Sequence, residues 1–431
     1  MTHTMFGQAH LGAEFSGVAR VLSKRHIGKI LFCGVRLLEE NIQLVFQEER
    51  LANYRHIVSL PRGSLLKVSG KKIHTRNGTP SLEITSADIT HIVKENLPDK
   101  QNCLSKSLRY RRRTIDLMTN DTSFVFFRRQ SEVLMIIRRF LYDLGYHEFI
   151  TGTLQEVFEG GQAVSFDTYC KATGKNATLS LTSELKLKRL LVSGFDRVFE
   201  IAQSFRNEGS DKLHSPEFTL LEMYARSSGH LEMMELLESM VSEIAGKIQD
   251  DSDVLFTPER YRAPFQRILF REVFENHFGD FSRFNIQYFS ELMPEMFNVE
   301  MSHFTWTMKL IEKVFLPTIR GPAFLVELPV GMSPFVKNAS DGATTQRAFF
   351  VADGLFIADI YSDENNPDII QKNFEQQSAA VGNVLNKDYV EILSLGLGES
   401  AGLGMGLNRL SMLFLGTLPR DIKETILYPI L

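Results

Sequence analysis

Four side chains near the middle of the chain have types and spacing that suit binding of a phosphate, a base and a cation. Arg206 carries forked donors, which hold two oxygens of a phosphate at once. Phe218 offers a flat face to a base, while Glu222 and Tyr224 share one face of a strand by period-two alternation. Each also has a structural interpretation, such as an ion pair between Arg206 and Glu208 or a place for Phe218 in the core. The spacing alone leaves both interpretations open.

A second candidate stretch is residues 400–416, which is rich in glycine. Gly402, Gly404 and Gly406 precede an apolar segment that carries Arg409. We expect these glycines to open a helix, where the backbone can approach a ligand closely and the helix start attracts an anion. Close packing of the backbone explains the same glycines equally well.

A third candidate stretch, residues 347–366, predicts a hairpin. Its second strand places Asp359, Tyr361 and Asp363 on one face, where the carboxylates can bind an amine or a metal ion. A solvated strand face is the alternative interpretation.

A large domain must position these groups, and its pattern extends from residue 124 to 431. Around Arg206 the pattern predicts a helix over 185–193 and strands over 197–202 and 218–225. At the start of the domain, residues 124–143 have helical apolar spacing. The apolar stripe of that helix consists of Leu134, Ile137, Phe140 and Leu141.

The N-terminal part of the chain differs in charge. Residues 1–120 hold 19 Lys and Arg against 10 Asp and Glu, a net charge of +9 within a chain whose net charge is -4. The remaining residues therefore carry a net charge of -13. This asymmetry predicts contact between the N-terminal part and a polyanion such as nucleic acid, with a solvated basic face as the alternative.

Residues 1–100 predict a small five-stranded barrel of the oligonucleotide-binding type. On such a barrel exposed aromatic side chains stack on bases, and Phe32 and Phe46 are candidates, although either can be a core residue. Residues 101–123 are interpreted as a basic linker that enters a helix. The predicted strands are 18–22, 29–36, 41–47, 64–70 and 82–93.

Composition excludes several classes of protein. A chain of 431 residues with 43% hydrophobic and 23% charged residues is globular and long enough for two or three domains. It has no run of 18 uncharged apolar residues, so we expect no membrane contact. The three cysteines are far apart and odd in number, which favours a reducing cytoplasm over a disulfide framework.

The motifs together resemble those of class II lysyl-tRNA synthetases, in the same order and from about residue 15 to 431. LKRLLVSGFDRVFEIAQSFRNEG and HSPEFTLLEMY resemble the second signature motif of that class, and GLGMGLNRLSMLFLG resembles the third. LRYRRRTIDL resembles the segment between the anticodon-binding barrel and the catalytic domain. The resemblance implies an α+β chain: the barrel, then a catalytic domain built on an antiparallel sheet flanked by helices.

The resemblance also implies a nucleotide site. Arg206 is similar to the arginine that holds the amino acid carboxylate and the ATP α-phosphate. Glu208, His214 and Phe218 match the ATP-binding loop, with Phe218 stacked on adenine. Arg409 matches the arginine on the other side of the adenine. ATP and Mg²⁺ are the implied cofactors.

For the amino acid, the resemblance implies a lysine site. Glu184 matches the residue near the α-amino group, and Glu222 with Tyr224 matches the site of the ε-ammonium. The remaining amino-acid-binding positions are Gly160, Gly161, Asp359, Tyr361 and Asp363. Phe32 resembles the barrel aromatic that stacks on an anticodon base. The implied partners are tRNA, lysine and a second copy of the chain as a homodimer.

The sequence departs from the family pattern where the family holds magnesium. Phe349 and Phe356 stand where two glutamates are usual, and phenylalanine has no oxygen ligand to offer. Asp359 replaces an asparagine near the substrate carboxylate, where a second negative charge is expected to repel it. Asp363 replaces the far glutamate of the ammonium site, and Gly152 replaces a proline of the dimer contact. This pattern is typical of a diverged paralogue.

Three functions follow from this mixture. The first is ATP-dependent activation of lysine, or a lysine-like amino acid, as an adenylate and its transfer to tRNA, in which Asp353, Asp359 or Asp363 recruits magnesium. The second keeps activation and passes the amino acid to a protein or small molecule. The third is a non-catalytic protein that binds tRNA or a nucleotide.

Overall fold

A computed structural model describes residues 6–98, 104–156, 163–248, 258–381, 387–414 and 421–431. The chain divides into two compact units, Met1–Val125 and Phe126–Leu431. Among the helices of these described ranges, none is long and apolar enough to cross a membrane.

The first unit contains a closed five-stranded barrel, as predicted. Its strands alternate buried and exposed side chains, which is the pattern of a sheet with one face on a core. The barrel closes because β3 pairs in parallel with β5 while β1 pairs with both β2 and β4. The strands are β1 Glu14–Ile27, β2 Ile30–Leu37, β3 Glu40–Gln47, β4 Leu65–His74 and β5 Pro80–His91.

Short helices accompany the barrel. One of them, α1 at Tyr54–Ser59, has too few residues to show a helical period in the sequence and was not predicted. The segment predicted as a linker contains two helices, α2 at Lys106–Arg111 and α3 at Arg113–Thr119. Arg113, at the start of α3, is buried and pairs with Asp116, so this arginine is structural.

The second unit is built on an eight-stranded sheet flanked by helices. The strand order is β12-β13-β14-β15-β16-β11-β10-β6, with parallel pairs at both ends and antiparallel pairs between. A three-stranded sheet of order β7-β9-β8 stands beside it. The strands are β6 His147–Glu148, β7 Leu154–Gln155, β8 Asp167–Cys170, β9 Lys175–Leu179, β10 Arg197–Phe205, β11 Glu217–Arg226, β12 Gln266–Leu269, β13 Pro322–Val326, β14 Arg347–Ala352, β15 Leu355–Ser362 and β16 Ser400–Gly406.

The helices of this unit cover the sheet with apolar faces. The first, α4, contributes the predicted stripe, of which Ile137 and Leu141 are fully buried. The helices are α4 Asp121–Asp143, α5 Glu184–Val192, α6 His230–Lys247, α7 Phe270–Phe278, α8 Ile286–Leu292, α9 His303–Leu310, α10 Pro367–Val381, α11 Lys387–Leu393 and α12 Leu407–Phe414.

The glycine-rich stretch differs from its prediction. Gly402, Gly404 and Gly406 lie in strand β16, and α12 begins only at Leu407. Gly402 and Gly404 leave room for side chains of the neighbouring strand β11, and the glycines do not begin a helix. A Cβ at Gly402 would meet the ring of Tyr224 at 2.1 Å, and one at Gly404 would lie 3.4 Å from the carboxylate of Glu222. The prediction of a helix opened by these glycines was therefore wrong.

Candidate functional site

A pocket of about 460 Å³ opens over the middle of the large sheet. Strands β11, β14, β15 and β16 supply its floor, and the segment around His214 and the start of α12 supply its walls. Antiparallel pairing sets the side chains in register, since Glu222 lies opposite Gly404 and Asp359 lies opposite the same glycine on the other edge. The candidates from three distant parts of the sequence thus meet in one cavity.

We call one part of the pocket the arginine end, defined by Arg206, Phe218, His214 and Arg409. The guanidinium carbon of Arg206 lies 5.1 Å from the centre of the Phe218 ring. The guanidinium of Arg409 donates to the Phe356 carbonyl at 2.9 Å and to the Leu213 carbonyl at 3.3 Å. The two arginines and the Phe218 ring therefore border the same cavity.

Arg206 has no ion-pair partner within hydrogen-bond distance in the described part of the chain, and its buried Nε atom makes no hydrogen bond there. Its backbone is fixed, because its amide donates to the Pro216 carbonyl at 2.8 Å. Burial lowers the pKa of Arg206, and Glu208 and Glu222 nearby oppose that change. A buried guanidinium without a partner is costly, so an anion in the pocket would satisfy it.

His214 is held by a neighbour in the loop between β10 and β11. Its Nδ1 lies 3.0 Å from a carboxylate oxygen of Asp211, which also accepts the backbone amide of His214 at 2.9 Å. Burial tends to raise the pKa of Asp211, but hydrogen bonds from Leu213 and His214 outweigh it and lower the pKa. Glu208 lines the cavity from the same loop. The loop is thus ordered by its own polar side chains.

The acidic end of the pocket is defined by Glu184, Glu222, Asp359 and Tyr361. Glu222 accepts hydrogen bonds from the hydroxyls of Thr182 at 2.5 Å and Tyr224 at 2.7 Å. Burial, with the charge of Glu184, raises the pKa of Glu222 to about 7. Such a carboxylate is neutralised most favourably by a cation that enters the pocket.

Lys188 was missed by sequence reasoning. Its ammonium is fully buried and lies 2.7 Å from carboxylate oxygens of both Glu184 and Asp363. Burial alone would lower the pKa of Lys188, but these two carboxylates outweigh it and raise the pKa well above its usual value. The signal available in the sequence was the spacing of Glu184 and Lys188, four residues apart on α5.

Aromatic rings complete the surroundings of this ammonium. The rings of Tyr224, Phe335 and Tyr361 lie 5.0–5.2 Å from it, at a distance suited to cation–π attraction. Asp363 also accepts the Ser400 hydroxyl at 2.6 Å. Asp363 therefore belongs to a filled cation site behind the pocket wall and does not border the cavity.

Asp359 is also paired with a cation from within the chain. Arg347, opposite Tyr361 in the β14–β15 hairpin, donates from Nε to Oδ1 at 2.8 Å and from Nη2 to Oδ2 at 2.5 Å. Burial tends to lower the pKa of Arg347, but Asp359 outweighs it and raises the pKa. The expected repulsion of a substrate carboxylate by Asp359 is therefore offset by the neighbouring guanidinium.

Tyr361 connects these groups. Its hydroxyl donates to Glu184 at 2.6 Å and lies 3.4 Å from the hydroxyl of Tyr224. Glu184 and Glu222 therefore belong to one network of hydroxyl groups. Asp359 holds a separate donor, Arg347.

Four other predicted positions fall elsewhere. Gly160 and Gly161 lie outside the described residues. Phe32 is half-buried on β2 of the first unit, with the guanidinium carbon of Arg25 5.4 Å from its ring. Phe46 is fully buried in the barrel core, so it is not available to stack on a base.

The positions that hold magnesium in the family pattern form an apolar wall. Phe349 is fully buried and Phe356 half-buried, and their ring centres are 4.7 Å apart. Within the described ranges, no group of three or more His, Cys, Asp or Glu side chains is arranged to hold a metal ion. The two aromatic positions of this wall therefore offer no oxygen ligand to a magnesium ion.

Comparison with known proteins shows which family this chain belongs to. The family model described as tRNA synthetases class II (D, K and N) matches residues 105–431. The lysine–tRNA ligase of Dehalococcoides mccartyi is 31% identical, over 98% of this chain and 88% of that protein. Lysine–tRNA ligase 2 of Methanosarcina mazei is 30% identical, over 97% and 85%. The lysine–tRNA ligase of Enterococcus faecalis is also 30% identical, over 99% and 89%.

This match agrees with the fold, in which a closed barrel precedes a large mixed sheet flanked by helices. Membership supports an aminoacyl-tRNA ligase activity and implies the use of ATP and Mg²⁺ by the family. The chain therefore belongs to the class II tRNA synthetases (D, K and N), in the lysyl-tRNA synthetase family of that class.

Proposed function

We propose that the protein is an ATP-dependent ligase that activates lysine, or a lysine-like amino acid, as an adenylate and transfers it to tRNA. The observation that carries this proposal is that the arginine end and the acidic end belong to the same cavity. The unpartnered Arg206 and the carboxylate of Glu222 both line it. A ligand with an anionic centre and a cationic side chain matches this arrangement.

In the proposed reaction, a carboxylate oxygen of the amino acid attacks the α-phosphorus of ATP. The new bond is a mixed anhydride, the bond to the β-phosphate bridging oxygen breaks, and pyrophosphate leaves. Arg206 would contact the α-phosphate and the carboxylate, with Phe218 and Arg409 on the two faces of the adenine. Such a displacement depends on positioning and positive charge more than on a protein base.

For the amino acid, Glu222 and Tyr224 would receive the side-chain ammonium, and Glu184 with Tyr361 would lie near the α-amino group. The network of hydroxyl donors keeps these carboxylates in place before the substrate enters. The Arg347–Asp359 pair would face the substrate carboxylate with little net charge. This supports an ordinary α-amino acid as the substrate.

The barrel supports tRNA as the acceptor. Phe32 is the proposed base-stacking residue, and the first 120 residues carry the net positive charge of +9 that suits a polyanion. We also propose, from family membership, a homodimer that acts in the cytoplasm.

Pyrophosphate exchange tests the activation step. We expect lysine-dependent exchange between labelled pyrophosphate and ATP, followed by charging of total tRNA with lysine. Exchange without charging would indicate a different acceptor, and absence of exchange with every amino acid would contradict the proposal.

Charging kinetics test the role of the barrel. We expect Phe32→Ala to raise the KM for tRNA about tenfold, because stacking of one base contributes about 1–3 kcal/mol. Its KM for lysine should stay at the wild-type value. An unchanged KM for tRNA would exclude Phe32 from the interface.

One alternative has a specific observation in its favour. Because Phe349 and Phe356 offer no ligand for a metal ion, the protein can be a non-catalytic nucleotide- and tRNA-binding member of the family. Under that function, ATP or AMP binds and tRNA binds, but lysine-dependent exchange is absent.

A further inference from the structure

One wall of the pocket, which carries the rings of Phe349 and Phe356, is apolar. Phe349 and Phe356 pack on each other there, and Phe304 and Met308 line the same cavity. The Arg409 guanidinium lies 6.0 Å from the Phe356 ring centre, and that of Arg347 lies 4.8 Å from the Phe349 ring centre. Cations of the protein itself therefore stand over the two rings.

The three aspartates that the sequence offered for magnesium are engaged elsewhere. Asp353, Asp359 and Asp363 were the candidates for a new magnesium site. Each is paired with a basic side chain: Asp353 with Arg260 at 2.8 Å, Asp359 with Arg347 at 2.5 Å and Asp363 with Lys188 at 2.7 Å. A metal ion would have to displace these cations one by one.

The other acidic side chains that line the cavity are Glu184, Glu208, Glu222 and Glu312. Glu184 holds Lys188 and Tyr361, and Glu222 holds Thr182 and Tyr224. Across the described ranges no three such side chains converge on one point. Magnesium bound together with a triphosphate usually takes one or two carboxylates as well as phosphate oxygens. Phe349 and Phe356, at the wall, offer it neither.

The arginine end supplies positive charge in place of a metal ion. Arg206 and Arg409 both line the cavity. Burial lowers the pKa of Arg409, the charge of Glu312 opposes that change, and the charge of Arg206 adds to it. Arg206, whose buried Nε has no hydrogen-bond partner in the described structure, has forked donors that can hold the oxygens of one phosphate directly. The β- and γ-phosphates of a triphosphate would find the apolar wall instead of a bridging cation.

We infer that this pocket binds adenine nucleotides through one phosphate and without a metal ion, so that AMP and aminoacyl adenylates are bound as tightly as ATP. The inference rests on the nucleotide binding in the proposed function and goes beyond it by naming the ligand and excluding the metal ion. ATP binds by its α-phosphate alone, and its further phosphates add little affinity.

Calorimetric titration of the full-length protein with AMP and with ATP, each in excess MgCl₂ and in EDTA, tests this inference. We expect the two nucleotides to bind within about threefold of each other, and removal of magnesium to change neither Kd by more than about threefold, less than 1.4 kcal/mol. ATP binding that tightens about tenfold or more with magnesium, relative to AMP, would overturn the inference. Absence of binding by both nucleotides would overturn it as well.

A pair of double variants sharpens the test. F349E together with F356E places two carboxylates on the wall, and we expect ATP binding to become magnesium-dependent. F349L together with F356L keeps the wall apolar and should behave as the wild type. Equal magnesium responses in the wild type and a folded glutamate variant would overturn the inference. If the glutamate variant does not fold, the wild-type and leucine titrations still decide.

Failure of the proposed function gives a different result. Loss of lysine-dependent pyrophosphate exchange combined with metal-independent AMP binding contradicts activation and supports the present inference. Exchange that requires magnesium tightly bound to the protein supports activation and overturns the inference.

Discussion

The two ends of the pocket differ in how their charges are balanced. At the acidic end, Asp359 is paired with Arg347 and Glu184 with Lys188, so most of the charge is already neutralised by the chain. At the arginine end, Arg206 has a buried Nε without a partner in the described structure. The acidic end is therefore arranged before any ligand enters, whereas the arginine end is completed by a ligand. Folding depends on the first end, and anion binding depends on the second.

The largest expected effect is a loss of stability when the ion pairs of the acidic end are broken. Lys188→Met leaves Asp363 and Glu184 without their shared cation, and removal of one partner from a buried ion pair costs about 3–5 kcal/mol. We expect the free energy of unfolding in urea to fall by that amount.

Lys186→Met, on the same helix, is the matched control, because the ammonium of Lys186 reaches an exposed carbonyl of Gly152. Its expected change is about 0.5 kcal/mol or less. Equal losses for the two variants would show that the buried network does not set stability.

The next largest effect is a loss of activity, without a loss of stability, when the arginine end is changed. Arg206→Ala removes a guanidinium whose buried Nε has no hydrogen-bond partner in the described structure. We expect pyrophosphate exchange to slow by about 10²–10³-fold, the effect of one donor to a developing charge. Arg226→Ala, at the exposed end of strand β11, is the control and should keep the wild-type rate. Exchange at the wild-type rate in Arg206→Ala would contradict the proposed role.

The same difference explains what the sequence revealed. Arg206, Phe218, Glu222 and Arg409 were found from their types and spacing and from the family motifs, and the structure places all four in one cavity. The barrel and the apolar stripe of α4 were found because alternation and helical spacing are local properties of the sequence.

The ion pairs of the acidic end were not found. Lys188 and Asp363 are 175 positions apart, and Arg347 and Asp359 meet only through the register of a hairpin. A charge is interpreted from sequence as solvated unless its partner is known, so Asp359 was expected to repel a substrate carboxylate. The glycines of β16 were misinterpreted for a similar reason, because the side chains they accommodate lie on another strand.

A smaller effect distinguishes the two ends by the substrate whose KM changes. Glu222→Gln keeps the size of the side chain and removes its charge, so an ammonium loses about 1.5–3 kcal/mol of charge-assisted hydrogen bonding. We expect the KM for lysine in pyrophosphate exchange to rise at least about tenfold, with little change in the KM for ATP. Glu235→Gln, on the exposed face of α6, should change neither. Equal increases in both constants would contradict an ammonium site at Glu222.

The smallest effect is the pH dependence of lysine affinity, which is measured on the wild-type protein. Burial and the nearby Glu184 raise the pKa of Glu222 to about 7, and only its ionised form attracts an ammonium. Lysine affinity should therefore be highest above pH 7 and fall as the pH decreases, by up to about tenfold per pH unit below the pKa, while lysine itself does not titrate there. In Glu222→Gln this slope should disappear. A steep fall between pH 8 and 6 that persists in the glutamine variant would assign the titration to another group.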